Sequence, residues 1–156
     1  MENEIVSILF TYGAEACHLF ELWHPGGMNF LRRKPADPIA ARLVAAGLST
    51  DAAHLLSRTG TAVTLEPGTR LCLEGQFGRE AFVLVDGEAV VTHEAAHLRT
   101  VGAGEVIGEI AALDSRRTRT ATVETTKKSI VLAYDVATFR TLAEKFSDVL
   151  APQRAA

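Results

Sequence analysis

Two periodicities divide the chain near residue 47. Before it, Ile5, Ile8, Leu9, Tyr12, Ala16, Leu19, Phe20 and Trp23 return at helical spacings and form one apolar face. His24-Pro25-Gly26-Gly27 terminates that helix, because proline lacks the next amide and glycine favours the unwound chain. A loop carrying Arg32, Arg33 and Lys34 follows. Beyond Pro35 and Pro38 an alanine-rich helical stretch runs to Ala46, and Gly47 ends it as a C′ residue would. Ser49 or Thr50 then caps a short helix through Ala53, Leu55 and Leu56. The expected organisation is a helical N-terminal segment over 1–46 and a second domain over 47–156.

From Thr61 the period becomes two, and turn signals recur every eight to twelve residues. Thr61 to Leu65 runs into Glu66-Pro67-Gly68, Arg70 to Leu73 into Glu74-Gly75, and Glu80 to Val85 into the hairpin signal Asp86-Gly87. Glu88 to His93 pairs back. After the polar interval Glu94 to Ala96 come Leu98 to Val101, the turn Gly102-Ala103-Gly104, and a segment from Val106 to Leu113. Thr120 to Thr125 and Ser129 to Tyr134 complete the strands, and Asp135 caps a final helix carrying Val136, Phe139, Leu142 and Phe146. The fold class predicted is mainly β with flanking helices (α+β), as a sandwich or barrel of about eight short strands. Gly75, Gly78, Gly87, Gly102 and Gly104 are read as turn residues with positive φ.

Composition narrows the function. At 156 residues the chain has room for one core and a short appendage, which excludes a large multidomain enzyme. Its 16 basic and 19 acidic side chains give a charge of −3 with no long basic run, so nucleic acid is not an expected partner. Cys17 and Cys72 are too far apart for a CxxC motif. No apolar run approaches the ~18 residues of a membrane span, and the acidic start lacks the positive region of a secretory signal, so a cytoplasmic protein is expected. His93 and His97 lack further ligands at metal spacing and read as an exposed hairpin pair, with no metal expected. Cys72 reads as a buried small hydrophobe.

The β pattern is interrupted at Ile107-Gly108-Glu109-Ile110-Ala111-Ala112-Leu113. Helix formers persist there for barely more than one turn, and a strand resumes after Arg119-Thr120. The free amides at the start of such a turn carry partial positive charge and suit an anion. Gly108 lets a ligand approach that backbone, an arginine on the next strand adds a two-pronged contact, and Thr120 can donate beside it. Glu109 would repel a phosphate but can accept hydrogen bonds from a sugar hydroxyl. A phosphate joined to a ribose is the implied pair. The alternative is a structural Glu109–Arg119 ion pair across a corner of the fold.

These residues resemble the cyclic nucleotide-binding domain of catabolite activator proteins, cyclic-nucleotide-dependent kinases and gated channels. The family's phosphate cassette runs Phe-Gly-Glu-Leu-Ala, a variable spacer, then Arg, a small or hydroxyl residue, Ala, a further residue and Val. Here it reads Gly108-Glu109-Ile110-Ala111 and Arg119-Thr120-Ala121-Thr122-Val123. The resemblance covers the chain from about Gly47 and implies a jelly-roll-like β-roll flanked by helices. It also implies ligand-binding roles for Gly108, Glu109, Ile110, Ala111, Arg119, Thr120 and Ala121. Glu109 would take the ribose 2′-hydroxyl, Arg119 the cyclic phosphate, and Thr120 with the backbone at Ile110 and Ala111 the phosphate oxygens. The expected ligand is cAMP, by the activator-like spacing of eleven positions from Gly108 to Arg119, with cGMP the alternative.

Three departures stand out. Ile107 replaces the family's Phe, which alters packing alone. Arg116 and Arg117 in the spacer compete with Arg119 as the phosphate ligand, and the Thr-Ala-Thr-Val that follows Arg119 sets the register. The chain ends at Ala156, soon after its last helix, so the long lid helix of many members is expected to be absent or replaced. The function expected is a non-catalytic regulatory module that senses a cyclic nucleotide and signals by helix movement. Its partner is expected to be a second copy, as a homodimer, or another protein, docked through the N-terminal helix. The rival is a non-sensing interaction module that uses a degenerate domain of this fold as scaffold.

Overall fold

The computed structural model describes residues 36–114 and 116–147. The expected helix over residues 5–23 lies outside them. The described elements are α1 (Pro38–Ala45), α2 (Thr50–Thr59), β1 (Thr61–Leu65), β2 (Arg70–Cys72), β3 (Glu80–Asp86), β4 (Ala89–His93), β5 (Ala96–Val101), β6 (Val106–Ile107), α3 (Glu109–Leu113), β7 (Thr122–Thr125), β8 (Ser129–Asp135) and α4 (Val136–Lys145). The strands form two antiparallel four-stranded sheets, ordered β1-β8-β3-β6 and β2-β7-β4-β5.

Local chemistry sets the helix bounds. Asp37 accepts from the amides of Ile39 and Ala40 at the start of α1, and Ser57 on α2 donates to the same carboxylate oxygen at 2.9 Å, tying the two helices together. Ser49 caps α2 and Asp135 caps α4 through the amides of Ala52 and Thr138. Gly47 follows α1 with φ +103°, the left-handed conformation that closes a helix.

The central strands of the first sheet, β3 and β8, are buried on both faces, which explains why β3 reads as a continuous apolar run. Ala81, Val83 and Val85 of β3, with Leu132 and Tyr134 of β8, face the helices and meet Ala40, Leu43, Leu56, Phe139 and Leu142. The helix Pro38–Ala45 therefore contributes to the same core as the strands. The alternate positions Leu84 and Val131 turn to the second sheet and pack with Cys72, Ala89, Val101, Ile107 and Val123. Ile107, where the resembling family carries Phe, is thus a packing residue of this layer.

Two turn expectations are corrected. Gly75, Gly87 and Gly104 have φ of +80°, +103° and +88°, but Gly78 and Gly102 do not adopt positive φ. The β4–β5 hairpin turns at Glu94 and Ala95 (φ 49° and 63°), without the glycine or asparagine that normally marks such a turn. The Glu94 amide donates to Glu74 at 3.0 Å, which helps hold that turn.

Candidate functional site

A cavity of about 420 Å³ opens beside the inter-sheet core, where β6, α3 and the approach to β7 meet the β4–β5 hairpin. All seven residues singled out in the sequence line it: Gly108, Glu109, Ile110, Ala111, Arg119, Thr120 and Ala121. The turn from β6 into α3 requires Gly108. Its φ is +80°, and a Cβ there would overlap the Arg119 guanidinium and stand 3.3 Å from Cys72 Sγ. As the residue before α3, Gly108 provides no side-chain cap. The amides of the first turn of α3, at Ile110 and Ala111, therefore have no partner within the helix and carry its partial positive charge at the cavity wall.

Arg119 supplies a full positive charge to the same wall. It is 6% exposed, and its Nη1 and Nη2 donate to the carbonyl oxygens of Gly108 and Glu80, each at 2.7 Å. No carboxylate pairs with it among the described residues. The structural Glu109–Arg119 ion pair is therefore not formed. Two of the five guanidinium donors are held by carbonyls, which orients the group and leaves others for an anion. The backbone is fixed too: the Arg119 amide donates to Gln76 O at 2.7 Å, and the Gly75 amide donates to Arg119 O at 2.9 Å.

The spacer arginines are placed differently. Arg116 and Arg117 pair with Asp114 at 3.3 and 3.7 Å, with side chains 90% and 63% exposed, and neither lines the cavity. Their local hydrogen bonds and charge hold the Asp114 carboxyl below its ordinary range, the amide and side chain of Arg116 first among them.

The rest of the wall was not legible as site residues. Val91, Leu98, Val101 and Val123 make it apolar, Cys72 closes its floor, and His93 and Arg99 stand among them. Cys72 is buried as expected but also faces this space. Desolvation pushes its thiol up to about 11, with Arg119 opposing and Glu109 and Glu80 adding to the rise. His93 keeps about half its side chain exposed, at 49%, yet its Nδ1 lies 3.1 Å from Thr120 O and 2.9 Å from Glu74 Oε1. It thereby links β4, the approach to β7 and the β2–β3 loop. Arg99 pairs with Glu105 at 2.5 Å, so its charge is committed within the wall. One signal was available in sequence: Ala89, Val91 and His93 alternate along β4, so they share the inward face. Among the described residues no group of three or more His, Cys, Asp or Glu side chains is arranged to hold a metal ion, and no helix is long and apolar enough to cross a membrane.

Comparison with known proteins agrees with this fold. The cyclic nucleotide-binding domain profile matches residues 62–146, more than half of the chain. The chain is 31% identical over 99 residues to the Pycsar effector protein PaPycTIR of Pseudomonas aeruginosa, an alignment covering 64% of this chain. It spans about a third of that relative's length (32%). In fold it resembles PKAR CBD2 bound to Sp-2Cl-cAMPS, with TM-score 0.62 and 22% identity over 79% of this chain and 84% of that one. It also resembles the N-terminal domain of a transcriptional regulator from Streptomyces coelicolor A3(2), with TM-score 0.53 and 25% identity over 70% of this chain and 83% of that one.

Proposed function

Since this chain belongs to the family of cyclic nucleotide-binding domains, we propose that it senses a cyclic mononucleotide, cAMP or cGMP, in the cavity that Arg119 and α3 border. The observation that carries this reading is Arg119, a buried cation that borders a cavity and has no carboxylate partner among the described residues. Burying an uncompensated charge is costly, and an anion entering the cavity compensates it. A cyclic phosphate carries one negative charge. Arg119 neutralises it, the amides of Ile110 and Ala111 receive its oxygens, and Thr120 donates its hydroxyl. Among the described residues Glu109 makes no ion pair or side-chain hydrogen bond, and it borders the cavity, which suits it to accept from the ribose 2′-hydroxyl. The base lies against the apolar wall of Val91 and Leu98. No bond is made or broken.

The signal leaves through α3. Its C-terminal carbonyl at Leu113 accepts from Arg140 Nη2 on α4 at 3.0 Å, and Ala112 packs in the core that contains Phe139 and Leu142 of α4. A ligand that binds better to one placement of α3 shifts the population of α4 placements with it. A second copy of the chain, joined through the apolar stripe of residues 5–23, is the partner we assign, and sedimentation with and without residues 1–46 tests it: a monomer in both cases removes it.

Thermal melting with and without nucleotide tests the binding itself. At about a hundred times Kd a ligand adds about 2.7 kcal/mol, a shift of roughly 5 to 10 °C for a domain of this size. Melting temperatures unmoved by millimolar cAMP and cGMP would instead favour the scaffold reading.

A further inference from the structure

Gly78 lies outside the cassette motif, in the loop between β2 and β3, and the sequence suggested a turn glycine there. Its backbone does not explain it, because φ at Gly78 is not positive and any L-residue could adopt it. Space does. A Cβ built on Gly78 falls on Nε, Cζ and Nη2 of Arg119, closer than any real Cβ contact. A Cβ on Gly108 likewise falls on Nη1. The guanidinium therefore packs against two glycines contributed by different parts of the fold. The Gly75–Glu80 loop holds the same arginine at further points: Gln76 O and the Gly75 amide bond its backbone, and Glu80 O accepts from Nη2.

We propose that Gly78 is a positioning residue for the anion site, whose lack of a side chain lets the Arg119 guanidinium reach the plane in which Gly108 O and Glu80 O orient it toward the cavity. The inference rests on the reading of Arg119 as the phosphate ligand. A methyl group at 78 displaces the inner part of the guanidinium, including Nε, so a rotation of its far end alone does not relieve the overlap. Both carbonyl bonds then lengthen or break, and Arg119 meets the phosphate from a less constrained position. The β2–β3 loop thereby supports the anion site through Arg119, without lining the cavity itself.

The test compares Gly78→Ala with Gly102→Ala. Gly102 also lacks positive φ, and the nearest atom to a Cβ there is Glu105 Oε2 at an ordinary 3.8 Å. In titrations with cAMP and cGMP, Gly78→Ala is expected to bind at least tenfold more weakly than the parent, and Gly102→Ala within about twofold. Without ligand, the Arg119 Nε–H resonance should shift in Gly78→Ala and exchange faster with solvent, while staying in place in Gly102→Ala. Unchanged affinity in Gly78→Ala, or an unmoved Arg119 resonance, overturns the inference. If the parent binds neither nucleotide, the proposed function fails, and the resonance alone decides whether Gly78 positions Arg119. If Gly78→Ala does not fold, Gly78→Ala/Arg119→Ala decides: with the guanidinium gone the methyl has room, so the double variant should fold and melt with Arg119→Ala. A double variant that remains unfolded places the cause elsewhere and overturns the inference.

Discussion

Replacing Arg119 with alanine removes a guanidinium that is 6% exposed and donates to Gly108 O and Glu80 O at 2.7 Å. Two separable effects follow. Without ligand, two carbonyls lose charge-assisted donors worth about 1.5 to 3 kcal/mol each, partly replaced by water entering the vacated space. The empty domain is expected to melt several degrees lower, since about 1 kcal/mol moves a domain of this size by roughly 2 to 4 °C. With ligand, the phosphate also loses its buried cation, at about 2 to 5 kcal/mol, or roughly 30-fold to several-thousand-fold in Kd. Calorimetric titration well below both melting temperatures reads the second effect without the first. Arg116→Ala and Arg117→Ala are the controls. Their side chains are 90% and 63% exposed and pair with Asp114, so each change is expected to alter Kd by less than about threefold. Arg119→Lys keeps the charge but cannot bridge both carbonyls and a phosphate with one nitrogen, so it falls between. An Arg119→Ala variant that binds within threefold of the parent, or equal losses from all three alanine variants, would refute the assignment.

Thr120→Ala is expected to weaken cGMP more than cAMP, by roughly tenfold at most for one hydrogen bond, and competition titrations that show equal losses would confine Thr120 to the phosphate. Burial pushes the Cys72 thiol up to about 11, so in a Cys17→Ser background it is expected to react with a disulfide reagent slowly at pH 8 and to accelerate only toward pH 11; rapid reaction at pH 8 would contradict the packing around Gly108. The Asp37 carboxyl is held below its ordinary value by the Ala40 amide first and the Ser57 hydroxyl next. Because its pKa is depressed on folding, its contribution is complete above roughly pH 4 and fades as pH falls through the depressed value. Asp37→Asn, which can still cap α1, is therefore expected to narrow the difference in melting temperature between pH 6 and pH 3, and an unchanged difference would remove Asp37 from the acid response. Arg140→Gln is expected to leave affinity within a few-fold while reducing the ligand-induced change in hydrogen exchange over α4; an undiminished change would show that α3 signals by another contact.

The strands were legible because turn chemistry punctuates them, and two of the helix caps because Ser49 and Asp135 stand one residue before their helices. The anion-binding half of the cavity was legible for a similar reason. Gly108 through Ala111 are consecutive, and Arg119 through Ala121 lie a short spacer beyond, so one window of sequence contains them. The other half comes from β2, β4 and β5, where Cys72, Val91, His93, Leu98 and Arg99 converge only through sheet pairing. Residues that are ordinary strand positions along the chain become a wall through register alone. Gly78 was misread for a related reason: its neighbour is Arg119, forty-one positions away, and a glycine kept for space resembles one kept for a turn. The β4–β5 connection was legible as the polar interval Glu94 to Ala96, but the positive φ at Glu94 and Ala95 had no signal, because these are not residues that positive φ favours.

The central claim, that the cavity beside Arg119 takes a cyclic mononucleotide, is tested most directly by calorimetric titration of the unaltered chain with cAMP and with cGMP, using 5′-AMP as the control that lacks the cyclic phosphate. The account predicts saturable binding of one cyclic nucleotide per chain, with 5′-AMP bound at least tenfold more weakly, since its extra charge and open phosphate do not match a single buried guanidinium and one turn of helix. Absence of binding heat for either cyclic nucleotide up to about a millimolar, with the chain folded by melting, or equal affinity for 5′-AMP, would contradict it.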